Sequence, residues 1–258
     1  MSVALITGAS KGIGKAIAEE LAKRKIDVLL VARSGDLLKE LTFSLSVTYS
    51  VNADYLVTDL TEPDAAKKIF AWCKEKNYRV NMLINNAGYG LSGNFENYPL
   101  QDHLDVMTVN MTVTVELCYL FLPSLIYQPQ SYILNIASQA AFQAVPGLNV
   151  YSASKAFLRS FSRALRYELR KTNVSVTVIY PGSTDTDFAR RANVGPAAQK
   201  AAKRLNMPAG KVASIAINAM FARKAETTAG IINKIGKFFV WLLPKKWSEK
   251  TAGSIYGV

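Results

Sequence analysis

The sequence is poor in the residues that bind metals and form disulfides. It has one histidine, His103, and two cysteines, Cys73 and Cys118, among 258 residues. This set cannot supply a metal cluster with the usual number of ligands, and it does not make the disulfide framework of a small secreted domain. We therefore predict no metal site, and we expect both cysteines to be small residues of the hydrophobic core.

Acidic residues are also scarce. The chain has 19 Asp and Glu against 31 Lys and Arg, which gives a formal net charge of +12. Such an excess can indicate nucleic acid, membrane headgroups or a phosphorylated ligand. The positive residues are scattered, with denser groups at 190–204 and 234–250, and no recognisable nucleic-acid-binding module accompanies them. We therefore expect no nucleic-acid partner.

The N-terminus has no basic segment and no long apolar core of the kind found in a signal peptide. The sequence instead opens directly into an apolar strand at residues 2–6, which glycines follow. We expect a protein of the reducing cytoplasm. A length of 258 residues with 50% hydrophobic content is sufficient for one large domain over residues 1–258.

Apolar strands alternate with amphipathic helices along the chain. Several strands are continuous runs of Val, Ile and Leu, as expected of strands buried on both faces of a parallel sheet. The alternation predicts a doubly wound α/β domain. Strands are predicted at 2–6, 27–32, 54–57, 82–85, 132–137 and 174–180, and helices near 12–24, 36–45, 63–77, 101–127 and 152–172.

The turn after the first strand is a candidate phosphate-binding loop. It runs from Thr7 to Gly14 and opens a helix, where backbone N–H groups and the helix dipole attract a pyrophosphate. Its glycine spacing differs from GxGxxG, and an ordinary glycine-containing turn is the alternative. The predicted cofactor contacts here are Gly8, Ser10, Lys11, Gly12, Ile13 and Gly14.

Arg33 and Ser34 follow the second predicted strand, where a dinucleotide-binding fold presents a side chain to the adenosine ribose. An acidic residue at this place would bind the 2′-hydroxyl, whereas a basic residue accommodates a 2′-phosphate. The tip carries Arg33 and no acid, and Lys11 lies in the glycine turn nearby. The pattern favours NADP(H) over NAD(H); a solvated loop end is the alternative for Arg33.

Tyr151 and Lys155 are four positions apart, which places them on one face of a helix, one turn apart. A phenol titrates near ~10, but a cation held beside it in a partly dry site stabilises the phenolate and lowers that pKa. Such a tyrosine can pass a proton near neutral pH. The spacing alone is weak, because a solvated helix face often carries the same pair.

Several further short motifs accompany this pair. Asp59-Leu60 follows the third strand, Asn85 to Gly88 follow the fourth, Asn110 and Ser138 precede Tyr151, and Pro181-Gly182 follow the sixth strand. Over about residues 2–187, the joint pattern resembles the short-chain dehydrogenase/reductase family in its single-domain form. The resemblance implies a Rossmann-type, three-layer α/β/α fold, often of seven strands, and commonly a homodimer or homotetramer.

The resemblance also implies catalysis by an Asn, Ser, Tyr and Lys tetrad, which corresponds here to Asn110, Ser138, Tyr151 and Lys155. Ser138 would bind the substrate carbonyl oxygen while Tyr151 gives that oxygen a proton. Lys155 would lower the pKa of Tyr151 and bind the nicotinamide ribose. Asn110 would hold a water in a proton relay to Lys155, and a locally bonded core asparagine is the alternative.

Further cofactor contacts are implied in the same way. Asp59 would accept from the adenine amino group, the residues after the fourth strand would form a small-residue wall, and the loop after Pro181 would hold the carboxamide. The family often has an aliphatic residue where Thr184 stands, so the sequence departs from the pattern there. The implied contacts are Asp59, Leu60, Asn86, Ala87, Gly88, Pro181, Gly182, Thr184 and Thr186, in addition to Tyr151 and Lys155.

Residues 184–210 are polar, rich in alanine and basic, and we expect a mobile substrate lid here rather than packed core. Their positive charges are either solvated or attract an acidic or phosphopantetheine-bearing substrate. Phe142 and the segment Pro146–Val150 indicate an apolar substrate pocket.

The C-terminal tail, residues 234–258, is amphipathic. We predict a helix over 212–223, a short last strand at 229–232, and then an apolar run at 238–243 that lysines flank. That run is much shorter than the ~20 residues needed to span a bilayer. It either lies on a membrane surface, covers an apolar pocket, packs between subunits or folds back on the core.

The sequence therefore predicts an NADPH-dependent oxidoreductase that acts reversibly on the carbonyl or secondary alcohol of an apolar small molecule. A 3-oxoacyl thioester or a steroid-like ketone is the expected substrate class. The alternative is a catalytically idle dinucleotide-sensing protein, or a membrane-peripheral interaction protein, on the same fold.

Overall fold

A computed structural model describes residues 2–203 and 206–257 of the protein. Its centre is a parallel sheet of seven strands in the order β3-β2-β1-β4-β5-β6-β9. Two short strands, β7 and β8, pair with each other beside it. The strands are β1 (Val3–Thr7), β2 (Asp27–Ala32), β3 (Ala53–Val57), β4 (Val80–Asn85), β5 (Ser131–Ile136), β6 (Val174–Tyr180), β7 (Thr184–Asp185), β8 (Met207–Pro208) and β9 (Glu226–Thr228).

Helices cover both faces of the sheet. Two large apolar clusters form the core: α1, α2 and α9 pack on one face, and α3, α5 and α6 pack on the other. The helices are α1 (Gly12–Lys23), α2 (Gly35–Tyr49), α3 (Ala65–Glu75), α4 (Leu100–Met107), α5 (Val113–Tyr127), α6 (Asn149–Glu168), α7 (Phe188–Arg191), α8 (Pro196–Lys203), α9 (Ala209–Phe221), α10 (Ile231–Leu242) and α11 (Lys245–Tyr256).

This architecture confirms the predicted three-layer, Rossmann-type α/β fold with seven strands. The six strands predicted from apolar runs are all present, with ends that differ by up to two residues. Cys73 and Cys118 are buried in the core, as expected. Because the chain passes from β3 back across the sheet to β4, the strand order reverses beside β1. A crevice at such a reversal is where open α/β sheets bind their ligands.

The glycine turn brings α1 unusually close to the end of β1. A Cβ atom on Gly14 would overlap the carbonyl oxygen of Gly8 and the side-chain amide of Asn86. Gly8 also has a positive φ of 65°, a conformation that glycine adopts without steric cost. The backbone at the N-terminus of α1 is therefore exposed to the crevice with no side chain in the way.

Helices α4 and α5 form one helical stretch, Leu100–Tyr127, that is long and apolar enough to cross a membrane by length and composition. A π-helical turn, Thr108–Thr112, joins the two parts and places Asn110 fully inside the molecule. The inner face of α5, which includes Leu117, Phe121 and Leu125, belongs to the apolar core. The stretch therefore packs on the sheet as a core helix.

The strand expected near the C-terminus was wrong. Residues 229–232 do not form the last strand: β9 lies at Glu226–Thr228, Gly230 has a φ of 92°, and Ile231 begins α10. The isoleucines there have a helical and not an alternating period. Within the segment 184–210, which stays a predicted lid, Ala192, Val194 and Ala198 are buried against Phe188 and Tyr256. Arg204, one of the basic residues of the lid, lies outside the described residues.

Candidate active site

The predicted site residues come together at one edge of the sheet. The turns after β1, β4, β5 and β6 all lie at the carboxyl ends of parallel strands, and they carry the glycine turn, Gly88, Ser138 and Pro181 respectively. Helix α6 brings Tyr151 and Lys155 to the same edge from one face. The arrangement brings into one crevice motifs that lie far apart in the sequence, from the glycine turn at Gly8 to Pro181.

Asn86 supports the glycine turn from behind. Its Nδ2 donates to the carbonyl oxygens of Thr7 (2.9 Å) and Gly8 (3.1 Å). The Thr7 hydroxyl oxygen accepts in return from the backbone N–H groups of Asn86 and Ala87, both at 3.1 Å. The side chain of Asn86, predicted to contact the cofactor, is thus used in fixing the turn. It positions the groups that would bind a pyrophosphate.

The turn itself fits a dinucleotide phosphate. Gly8, Gly12 and Gly14 keep the backbone uncovered, the first turn of α1 contains no acidic residue, and Lys11 stands beside it. A helix N-terminus of this form attracts anions. Thr186 lies across the turn, with its methyl carbon 2.9 Å from where a Cβ on Gly12 would stand. Thr186 therefore contacts the turn from the opposite wall of the crevice.

Asn110 joins the turn after β4 to helix α6. Its Nδ2 donates to the carbonyl oxygen of Tyr89 (2.9 Å) and to Oγ of Ser154 (3.0 Å), and its Oδ1 accepts from the N–H of Tyr89 (3.0 Å). Since both amide hydrogens are bound within the protein, the side chain has no donor left for a water. Asn110 is a locally bonded core residue as well as a neighbour of Lys155.

Lys155 is buried, with 3% of its surface exposed, and its Nζ donates to the carbonyl oxygen of Ile136 at 3.0 Å. Gly88 leaves room for it: a Cβ there would stand 2.9 Å from Nζ and 3.1 Å from Oδ1 of Asn110. Burial lowers the pKa of Lys155 to about 8, because the ammonium form is disfavoured away from water. The ammonium group is therefore held close to its point of deprotonation.

Tyr151 lies between Gly90 and Phe188. A Cβ on Gly90 would be 3.1 Å from Cγ of Tyr151, and the ring centres of Tyr151 and Phe188 are 5.0 Å apart. Nζ of Lys155 is 5.6 Å from the centre of the tyrosine ring. Burial raises the pKa of Tyr151 to about 12, although a hydrogen bond with Ser138 acts in the opposite direction.

The prediction that Lys155 lowers the pKa of Tyr151 was therefore wrong for the protein without cofactor or substrate. Removing the phenol from water disfavours the phenolate more than the neighbouring groups stabilise it. Tyr151 is a neutral phenol at physiological pH, which is the form that donates a proton. Oγ of Ser138 also accepts from the N–H of Ala140 at 3.2 Å, which fixes its position at the end of β5.

At the far end of the crevice, Arg33 forms an ion pair with Asp59 at 3.2 Å. Burial by itself would raise the pKa of Asp59, but hydrogen bonds from Thr61 and Arg33 hold it below its ordinary value. The carboxylate predicted to meet the adenine is thus shared with the arginine predicted to meet the 2′-phosphate. Arg33 is half exposed and remains accessible from the crevice.

The segment after β6 closes the crevice from the side of the sheet that carries β9. Thr184 and Thr186 use their hydroxyls locally, on the carbonyl oxygens of Gly182 (3.1 Å) and Thr184 (3.4 Å). Asp187 forms an ion pair with Lys11 of the glycine turn at 3.0 Å. The predicted cofactor contacts on both walls are thus within direct reach of each other.

Sequence reasoning missed several residues that surround these groups. Phe188 packs on Tyr151, Arg191 stacks over Tyr89 at 4.5 Å, and Tyr256 of α11 packs beside Tyr151. Burial and the charge of Arg33 lower the pKa of Arg191, which places two arginines at one end of the crevice. Only the charge density of residues 190–204 hinted at Arg191, and no local spacing pointed to Phe188 or Tyr256.

Comparison with known proteins agrees with this geometry. The sequence model of the family described as short chain dehydrogenase matches residues 2–196. The chain belongs to this family of oxidoreductases, whose members bind a nicotinamide dinucleotide.

Individual relatives differ in what their names say. The chain is 34% identical over 191 residues to the very-long-chain 3-oxoacyl-CoA reductase of Bos taurus, covering 72% of this chain and 61% of that protein. It is 32% identical over 199 residues to the inactive hydroxysteroid dehydrogenase-like protein 1 of Homo sapiens, covering 74% and 58%. It thus spans about three fifths of the length of both relatives.

Among solved structures, a short-chain dehydrogenase from Sphingobium yanoikuyae in complex with NADPH matches with a TM-score of 0.82 and 30% identity. The match covers 90% of this chain and 88% of the other.

Replacing Asn110 by alanine should destabilise the protein by about 1–3 kcal/mol, because both backbone groups of Tyr89 and the Ser154 hydroxyl lose a buried partner. Urea unfolding would measure the change. Asn94→Ala is the matched control, since Asn94 is an exposed asparagine. Equal stability of the two variants would show that these hydrogen bonds do not hold the turn after β4.

Proposed function

We propose that the protein is an NADPH-dependent oxidoreductase that acts reversibly on the carbonyl or secondary alcohol of an apolar small molecule. The observation that carries the proposal is the cluster of Ser138, Tyr151 and Lys155, which lies beside an anion-attracting glycine turn at the carboxyl edge of the sheet. The proposed domain covers residues 1–258. A cytoplasmic location and a homodimer or homotetramer remain predictions.

The residues would divide the work as follows. Ser138, fixed at the end of β5, would donate a hydrogen bond to the substrate oxygen, while the neutral phenol of Tyr151 would give that oxygen its proton. Lys155 would stabilise the developing phenolate and bind the nicotinamide ribose. The nicotinamide, when bound, supplies or accepts the hydride. Asn110 would act by holding Tyr89 and α6 in place.

An apolar substrate is supported by the surroundings of Tyr151. Val145 and Leu148, from the segment that leads into α6, form a buried cluster with Ala252, and Tyr151 and Tyr256 pack against it. The ring of Phe188 also packs on Tyr151, with the ring centres 5.0 Å apart. A ketone with aliphatic or ring carbons beside its carbonyl group fits such apolar surroundings. A 3-oxoacyl thioester or a steroid-like ketone, the classes named in the two relatives above, is our proposed substrate class.

A preference for NADP(H) is supported by Arg33 and Arg191, which meet at the end of the crevice where β2 ends. A 2′-phosphate placed there would compete with Asp59 for Arg33. The alternative, a catalytically idle dinucleotide-binding protein, is favoured by the name of the human relative. Against it stands the complete set of Ser138, Tyr151 and Lys155 in one site.

The function is tested by following NADPH oxidation across a panel of aliphatic, aromatic and steroid ketones. Tyr151→Phe should lower kcat by about 10²–10⁴-fold, because the general acid is lost, while NADPH binding remains. Tyr167→Phe is the matched control, since Tyr167 is an exposed tyrosine on the same helix. A wild-type protein that binds NADPH tightly but reduces no ketone would support the idle alternative.

The pH dependence of ketone reduction should show the deprotonation of Lys155. With a pKa lowered to about 8, the ammonium is present at neutral pH and is lost as the pH rises through that value. Tyr151, with a pKa of about 12, keeps its proton over the same range. We therefore expect kcat/KM, which reports the free enzyme, to fall above about pH 8. A profile that stays flat to about pH 10 would contradict this assignment.

Arg33→Ala should weaken the binding of NADPH by about ten- to a hundredfold and the binding of NADH far less. Only the complex with NADPH loses a charge-assisted hydrogen bond to the 2′-phosphate. Fluorescence titration of both cofactors measures the two dissociation constants. Arg79→Ala, an exposed arginine outside the crevice, serves as the control. Equal losses for the two cofactors would show that Arg33 does not read the 2′-phosphate.

A further inference from the structure

Helix α10 presents its apolar side to the solvent. The exposed fraction is 75% for Ile231, 51% for Ile235 and 50% for Phe239, and these residues lie on one face at helical spacing. No residue of α10 is buried. The continuous face is formed by Ile231, Ile232, Ile235, Phe238, Phe239, Leu242 and Leu243. Monomeric proteins rarely leave contiguous apolar surface of this kind uncovered.

The polar side of α10 faces the protein and fixes this orientation. Nζ of Lys237 forms an ion pair with Glu226 at 3.2 Å and lies 4.4 Å from the ring centre of Phe142. The side chain of Asn233 donates to the carbonyl oxygen of Ala229 at 2.5 Å and packs against Gly182. Rotation of the helix to bury its apolar face would break both anchors.

The surroundings of the exposed face are strongly basic. Residues 227–258 contain five lysines and one acid, Glu249. A cleft beside α10 is lined by four cationic side chains and three aromatic ones, Phe142, Phe238 and Trp241. Its lining includes Arg159, Lys234, Lys237 and Lys245 together with Phe142 and Trp241. An apolar face rimmed by lysines and a tryptophan complements a surface that is apolar inside and anionic at its edge.

We propose that α10 docks the protein onto an anionic phospholipid bilayer, with its apolar face among the acyl chains and the exposed Lys234, Lys245 and Lys246 at the headgroups. At 12 residues, α10 is about 18 Å long, which is well short of a bilayer core of ~30 Å. The helix therefore lies in the plane of the interface. The proposal is independent of the enzymatic function proposed above, because the docking face contains none of the site residues.

The test is co-sedimentation of the full chain with vesicles. Vesicles with equal parts of phosphatidylglycerol and phosphatidylcholine should bind the protein, pure phosphatidylcholine should bind it at least about tenfold more weakly, and salt should weaken the binding to anionic vesicles. Emission from Trp241 should shift to shorter wavelength on binding, and Trp241→Phe identifies the contribution of that residue.

Matched variants distinguish vesicle binding through the apolar face of α10 from non-specific adsorption of the protein. Ile235→Glu with Phe239→Glu should abolish vesicle binding, whereas Phe43→Glu, at an aromatic residue that is 71% exposed on α2, should leave it unchanged. A triple change to Gln at Lys234, Lys245 and Lys246 should weaken binding to anionic vesicles by at least about tenfold. The same change at Lys23, Lys39 and Lys68 should have a smaller effect.

Two results would overturn the proposal. One is equal binding of the wild type and the Ile235→Glu, Phe239→Glu variant to anionic vesicles. The other is a wild type that binds no vesicle and forms a dimer that the same variant dissociates, because α10 would then be covered by a second copy of the chain. Retained ketone reduction or NADPH binding in the variant would show that the fold is intact.

Discussion

The site depends on one buried amide. Asn110, placed inside the molecule by a π-helical turn, binds both backbone groups of Tyr89 and the hydroxyl of Ser154. It thereby holds the turn after β4 against helix α6, one residue from Lys155. Gly88 then fits between the amide and the ammonium group. A buried polar group with all its hydrogen bonds made favours one arrangement of the core. Here that group fixes the position of the turn after β4, which carries proposed cofactor contacts, relative to α6, which carries the proposed proton donor Tyr151.

Burial sets the electrostatics of that arrangement. Two groups one helical turn apart respond to the same dry surroundings in opposite directions: the pKa of Tyr151 rises to about 12 and that of Lys155 falls to about 8. Both shifts favour neutral groups. The chain alone thus provides a phenol that holds its proton and a lysine that is readily discharged. Stabilisation of the phenolate must come from the charge and hydrogen bonds of the complete complex, which includes cofactor and substrate.

Much of this could be predicted from the sequence, because the signals are local. Apolar runs predicted the strands β1 to β6, and the spacing of Gly8, Gly12 and Gly14 indicated the anion-binding turn. What depends on packing between distant segments was missed: the use of Asn86 in holding Thr7 and Gly8, the contact of Phe188 with Tyr151, and the pairing of Asp59 with Arg33. The isoleucines at 231–232 were misread as strand because a short apolar run does not reveal its own period.

The two helices of the C-terminal tail place their apolar residues differently. Helix α11 folds back, so that Ala252 and Tyr256 pack near Tyr151, whereas α10 turns its apolar face outward. The anchors of α10 reach Gly182 and Phe142, which belong to the loops that would hold the carboxamide and the substrate. A bilayer that holds α10 would therefore keep the substrate end of the crevice close to the lipid. Since an apolar ketone partitions into acyl chains, the proposed docking face and the apolar walls around Tyr151 are consistent with one supply route for the substrate.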